Sequence, residues 1–247
     1  MKQPTKSKGA KKLTGEFGPQ TQAIHAGEPN RHGVGVGVGP SISRTSTFTF
    51  SSTEEMKRWA EGKSSAYIYT RYGNPTLSIA EGKIAALEGA EAAVVTASGM
   101  AAISSALLGA LKQGDEVIST QQTYGGTYRL MRDEFPDWGI TVRRAETSLE
   151  GIESLVTART KVLYVETPTN PTLRLVDLNK AMAFAKRHNL ISIIDNTFAT
   201  PLLQRPIDLG FDMVVHSATK YLSGHSDVIA GAAAGSDMAL GQNSLAS

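Results

Sequence analysis

Seven short, apolar, β-prone runs alternate with segments of helical spacing between about Pro75 and Ala234, and this alternation limits the fold more than any other feature. The runs are Ala92–Thr96, Glu116–Ser119, Ile140–Arg144, Lys161–Val165, Leu190–Ile194, Phe211–His216 and Val228–Ala234. Helical spacing falls at Thr76–Leu87, Ser98–Leu111, Leu149–Thr157 and Leu178–His188. Strand and helix in regular turn argue for an α/β domain with a largely parallel sheet. In open sheets of this kind the strand ends carry the chemistry.

Composition narrows the classes. The 247 residues are 40% hydrophobic and 19% charged, which excludes collagen, coiled coil and wholesale disorder. The length suits one or two domains with a real core. There are no cysteines, so a disulfide framework, a thiolate zinc site and a cysteine nucleophile are excluded. No metal site is expected, and the reading places the chain in the cytoplasm. No run of about 18 apolar residues suggests a membrane span.

The formal charge of +2 is misleading. Lys2, Lys6, Lys8, Lys11 and Lys12 precede Glu16 with no acid among them; the rest carries 20 basic against 23 acidic side chains. This tail reads as a solvated terminus rather than a nucleic-acid contact, and no apolar stretch follows to make it a secretory signal. The first sixty residues look irregular. His32–Pro40 (HGVGVGVGP) invites a dinucleotide-loop reading, but Pro40 stands where a third glycine is needed, so an exposed arm is expected. Ser43–Phe50 is expected to be extended.

Five segments concentrate chemistry. In Asp212–Ser226 a strand runs into Ser217, Ala218 and Thr219, with Lys220 at its exit. Two hydroxyls to bond a phosphate and an amine to reach a carbonyl suit a lysine Schiff base with pyridoxal phosphate. Asp195 ends an apolar strand, a costly place for an acid unless it is paired; it reads as a turn acid or as the partner of a protonated pyridine nitrogen. Asp195 lies 25 residues before Lys220, room for one strand–crossover–strand unit. Ser98, Gly99 and Met100 open a helix whose N–H groups can bind an anion. Tyr124 precedes two glycines and is either a turn aromatic or a ring lying flat on a heteroaromatic. Tyr69 and Arg71, before Asn74-Pro75, offer an O–H and a bidentate fork suited to phosphate.

Taken together, YTRYGNPT at 69–76, TASGM at 96–100, YGGTYR at 124–129, ETPTNP at 166–171, DNTF at 195–198 and SATKYLSGHS at 217–226 resemble the Cys/Met-metabolism family of pyridoxal phosphate enzymes. The correspondence runs from about residue 20 to about 232. It implies a fold-type-I large domain, a mostly parallel sheet flanked by helices, over residues 61–247. Residues 1–60 become a partly disordered N-terminal arm, and the small C-terminal domain is missing. Ser236–Ser247 does not resemble the family's continuation.

The resemblance implies roles. Lys220 is the Schiff-base lysine, Asp195 the partner of the pyridine nitrogen, and Tyr124 the stacking tyrosine that assists proton transfer. Gly99, Met100, Ser217 and Thr219 hold the phosphate, Ser98 is a further cofactor-binding residue, and Asn170 lies near the phenolic oxygen. Tyr69 and Arg71 reach the cofactor of a neighbouring subunit, so a dimer or tetramer with shared sites is implied. Arg129 contacts substrate. The implied activity is elimination or replacement at the γ-carbon of a sulfur amino acid or O-acylhomoserine, of the cystathionine γ-lyase or γ-synthase type. Methionine γ-lyase and O-acetylhomoserine sulfhydrylase are alternatives, although methionine γ-lyases carry a cysteine where this chain has Gly126. An inactive cofactor-binding fragment is the rival from another class.

Overall fold

The structure, a computed structural model, describes residues 17–29 and 37–242. The lysine-rich segment and the first part of His32–Pro40 lie outside the described residues. Among the described residues, no helix is long and apolar enough to cross a membrane.

Seven strands form one sheet: β1 (Ala92–Thr96), β2 (Glu116–Thr120), β3 (Thr141–Ala145), β4 (Thr160–Glu166), β5 (Ile191–Asp195), β6 (Met213–His216) and β7 (Gly231–Gly235). Their spatial order is β1-β7-β6-β5-β4-β2-β3. The pairs β2–β3, β2–β4, β4–β5 and β5–β6 are parallel. The expected parallel sheet has one exception, since β7 runs antiparallel to both β1 and β6. Two reversals cancel, so β1 points the same way as β6. The carboxyl ends of all strands but β7 therefore lie along one edge of the sheet.

The helices are α1 (Pro19–His25), α2 (Thr53–Ala60), α3 (Pro75–Glu88), α4 (Gly99–Ala110), α5 (Gly125–Arg129), α6 (Leu178–Arg187), α7 (Thr200–Leu203), α8 (Pro206–Leu209) and α9 (Asp237–Gln242). Local chemistry sets the main boundaries. Asn74 caps α3 by accepting the Thr76 N–H, Pro75 fits its first turn, and Gly89 closes it at φ 72°. Ser98 caps α4 through the Ala101 N–H at 3.1 Å. Asp177 caps α6, whose last turn holds Lys186 and Arg187.

The core lies in two layers. One face packs Ile118, Leu163, Val165, Ile194 and Val214 against Met182, Phe184 and Ala185 of α6. The other packs Val117, Val162, Tyr164, Ile193 and Val215 against Ile103 and Leu107 of α4 and against Met131 and Phe135. At the amino end of the parallel strands the buried Glu116 carboxylate is held by Arg143 at 2.6 Å, Arg159 at 2.8 Å and the Thr157 hydroxyl at 2.8 Å. The Arg143 bond in particular brings its pKa down to about 2.

Two expectations are corrected. Leu149–Thr157 is not an α-helix; only Ile152–Leu155 forms a 3-10 turn. Its apolar spacing is helical, but Leu149 and Gly151 take positive φ of 57° and 68°, which breaks a right-handed helix. The extended reading of Ser43–Phe50 agrees with an isolated antiparallel bridge, Thr47 to Tyr69, flanked by the Phe48 N–H donating to the Ile68 carbonyl at 2.9 Å. The last strand begins at Gly231 rather than Val228.

Candidate active site

The carboxyl edge of the sheet holds a cavity of ≈ 230 Å³. Of the residues singled out in the sequence, Ser98, Gly99, Met100, Tyr124, Asn170, Asp195, Ser217, Thr219 and Lys220 line it. They come from five separate stretches of chain, and the strand order is what brings them together.

β1 delivers the chain to the N-terminus of α4. The Ser98 side chain takes the Ala101 N–H and the Ser98 carbonyl takes the Ala102 N–H. The N–H groups of Gly99 and Met100 are left without a partner among the described residues, at the positive end of a 12-residue helix. Gly99 packs directly on the chain leaving β6; a Cβ there would stand 2.6 Å from the Ser217 Cβ. This close approach is the reason a glycine is required.

β5 ends at Asp195, which is buried. Its Oδ1 accepts the Thr197 N–H at 3.0 Å, and the Tyr164 hydroxyl lies 3.5 Å from Oδ2. Asp195 forms no ion pair among the described residues. Burial raises its pKa, against the opposing pull of the Thr197 bonds and the nearby His216. Behind the sheet, the buried His216 ring meets Glu88 at 2.6 Å, and the Asn196 amide donates to the same Glu88 oxygen at 3.0 Å. Asn196 and His216 are each one step from a cavity residue, so this buried pair braces the ends of β5 and β6.

Beyond β6, the Ser217 N–H donates to the Thr197 hydroxyl at 2.8 Å, while the Ser217 hydroxyl has no partner among the described residues. Thr219 is engaged: its hydroxyl donates to the Ala230 carbonyl and accepts the Ala230 N–H, both at 3.0 Å. Lys220 is exposed and its amine forms no hydrogen bond or ion pair among the described residues.

Tyr124 follows β2 and starts α5. Its ring lies over Gly126, where a Cβ would stand 2.5 Å from the ring edge and 2.9 Å from the Met100 sulfur.

The structure does not bring three expected residues to the cavity. Tyr69 and Arg71 are exposed on the loop before α3, with the Arg71 guanidinium 5.2 Å from the ring centres of both Tyr69 and Tyr72. Arg129 is exposed at the end of α5 and does not line the cavity. Conversely, the cavity includes Glu166, Thr197 and Phe198, which were not singled out individually. The signal for Glu166 was available, since it is an acid ending an apolar strand just as Asp195 is. Among the described residues, no group of three His, Asp or Glu side chains is placed to hold a metal ion.

The profile of the family described as Cys/Met metabolism PLP-dependent enzyme matches residues 20–246, further than the motifs had suggested. An L-methionine gamma-lyase of Fusobacterium nucleatum subsp. polymorphum is 48% identical over 221 residues, 88% of this chain and 55% of that protein. A cystathionine gamma-synthase/O-acetylhomoserine (thiol)-lyase of Bacillus subtilis is 44% identical over 182 residues, 73% of this chain and 48% of that protein. Among solved structures, a cystathionine gamma-lyase from Lactobacillus plantarum complexed with L-serine superposes with a TM-score of 0.82 at 39% identity, over 92% of this chain and 57% of its own. A Campylobacter jejuni protein described as an O-acetylhomoserine (thiol)-lyase, with N'-pyridoxyl-lysine-5'-monophosphate in its chain, superposes with a TM-score of 0.83 at 30% identity, over 91% of this chain and 55% of its own. The chain spans about half the length of the curated relatives it matches. On these matches and this fold, it belongs to the pyridoxal-phosphate-dependent Cys/Met metabolism family.

Proposed function

We propose that this chain is the cofactor-binding portion of an enzyme that eliminates or replaces the γ-substituent of a sulfur amino acid or an O-acylhomoserine, of the cystathionine γ-lyase or γ-synthase type. The observation that carries the reading is one cavity with a buried carboxylate lacking a cation, Asp195, and an amine lacking an anion, Lys220. A buried acid without a counter-charge destabilises a fold. A pyridine nitrogen that holds its proton beside Asp195 would remove that cost. The two free N–H groups of α4 and the free Ser217 hydroxyl fit a phosphate. The residues present therefore suit pyridoxal phosphate on the chemistry of the donor set.

When bound, the cofactor supplies an electron sink in conjugation with the α-carbon of an amino acid. In this reading Gly99, Met100 and Ser217 hold the phosphate with Ser98 capping the helix, and Thr219 joins them only by giving up its bond to Ala230. Asn170 would help hold the cofactor, and Tyr124 would pack on its ring and assist proton transfer. Asp195 keeps the ring nitrogen protonated. Lys220 would hold the cofactor through its amine, and that amine would take the proton from the α-carbon; a second proton must then leave the β-carbon before the γ-substituent departs. Tyr69 and Arg71, exposed and outside the cavity lining, would serve the phosphate of a partner protomer, so the working site belongs to a dimer or tetramer.

The missing side chain at Gly126 supports the cystathionine reading, because a residue there must displace the Tyr124 ring. The 48% identity to an L-methionine gamma-lyase supports methionine as the alternative substrate. Assays of 2-oxo acid and ammonia release from cystathionine, methionine and O-acetylhomoserine, on protein loaded with pyridoxal phosphate, test the proposal. Product from cystathionine above that from methionine supports the first reading, and the reverse order the second. Loaded protein silent on all three leaves the chain as a binding portion without turnover.

A further inference from the structure

Glu166 ends β4 as Asp195 ends β5, and the two are paired residues across the parallel ladder. Both are buried on the same cavity wall. Facing Glu166 are Asp195 and the Tyr164 hydroxyl, and no cation pairs with it among the described residues. Its pKa is raised, first by burial and then by the Asp195 charge. On stability alone this is a poor place for an acid.

Two backbone donors occupy it instead. The Tyr124 N–H donates to Oε2 at 2.6 Å, and the Asn170 N–H donates to Oε1 at 3.3 Å. Tyr124 and Asn170 sit on loops that leave the ends of β2 and β4, beyond the last pair of their ladder at Ser119 and Tyr164. Past that point the strands no longer hold the loops together. Glu166 bridges the gap, helped by Thr169 and Thr172, whose hydroxyls reach the Gln122 side chain at 3.2 and 2.6 Å. The two N–H groups reach different oxygens, Oε2 and Oε1, so both must be acceptors. A carboxylate meets this, whereas an amide side chain places an NH₂ donor against one of the two.

We infer that Glu166 is a positioning residue: through the Tyr124 and Asn170 N–H groups it sets the Tyr124 ring and the Asn170 side chain at fixed places on the cavity wall. It touches neither cofactor nor substrate in this role. The inference rests on the cofactor reading above, but its first test does not.

Amide hydrogen exchange of the cofactor-free protein reads the clamp directly. Tyr124 and Asn170 N–H groups are expected to exchange at least tenfold more slowly than Gly125. Exchange as fast as Gly125 in the wild type overturns the inference with no variant needed. In Glu166→Gln at least one of the two speeds up, and in Glu166→Ala both do; unchanged protection in both variants overturns it as well. Titration with pyridoxal phosphate supplies the second readout. Glu166→Gln is expected to bind about tenfold more weakly, the equivalent of one lost buried hydrogen bond, with a smaller visible circular dichroism band from the bound ring. Wild-type affinity together with a wild-type band in that variant overturns the inference. Failure of the wild type itself to bind pyridoxal phosphate sinks the cofactor reading, and the exchange result still decides the clamp.

Discussion

Asp195 and Lys220 line one cavity from the ends of adjacent parallel strands, and neither forms an ion pair among the described residues. A carboxylate held dry in this way costs the cofactor-free protein stability. Its folded-state pKa is raised, so the folded form holds the proton more tightly than the unfolded chain does. The stabilisation is complete below the ordinary value of about 4 and is lost as pH rises through the elevated folded value. Asp195→Asn copies the protonated form and keeps the acceptor for the Thr197 N–H. Urea unfolding of cofactor-free protein should show the variant matching wild type near pH 4 and exceeding it by ~1–3 kcal/mol at pH 8. The same variant should retain pyridoxal phosphate poorly. A variant less stable than wild type at pH 8 would contradict the absence of an ion pair.

The contact between Gly99 and Ser217 makes a sharper steric prediction. Gly99→Ala improves helix propensity at the start of α4, yet its methyl must enter a space 2.6 Å from the Ser217 Cβ. Overpacking should win, with a loss of ~1–3 kcal/mol and a fall in cofactor affinity as the helix backs away. Thermal melts and pyridoxal phosphate titration measure the two. Unchanged affinity would separate α4 from the phosphate.

Tyr69 and Arg71 make a prediction about assembly. If they serve a partner's cofactor, Arg71→Ala and Lys220→Ala should each lose turnover alone, and mixed dimers should regain part of it, because one of the two sites is then intact. Mixing after dissociation and reassembly, followed by a product assay, checks this. Full assembly of mixed dimers without rescue would place Arg71 outside the shared site.

The sequence made two strand ends at the site legible because their apolar runs lead to polar residues. Ile191–Ile194 stops at Asp195, and Met213–Val215 leads through His216 to Ser217. The antiparallel β7 was not legible as such: Gly-Ala-Ala-Ala-Gly has neither alternation nor β-branched residues, and the more β-prone Val228 drew the expected start forward. Helices α1 and α2, seven and eight residues long, were missed; both are short and bury no residue. The Leu149 segment misled by its spacing, since backbone handedness at Leu149 and Gly151 overrides an apolar repeat. Glu166 stood within a recognised motif, but its two backbone partners come from a fold that spacing alone does not reveal.

The most direct measurement is chemical. Purified protein is loaded with pyridoxal phosphate, reduced with borohydride, digested and mapped by mass spectrometry. The account expects the reduced pyridoxyl group on Lys220, with little on any other lysine and none at that site in Lys220→Ala. Label spread evenly over the exposed lysines, with no preference for position 220, would contradict it.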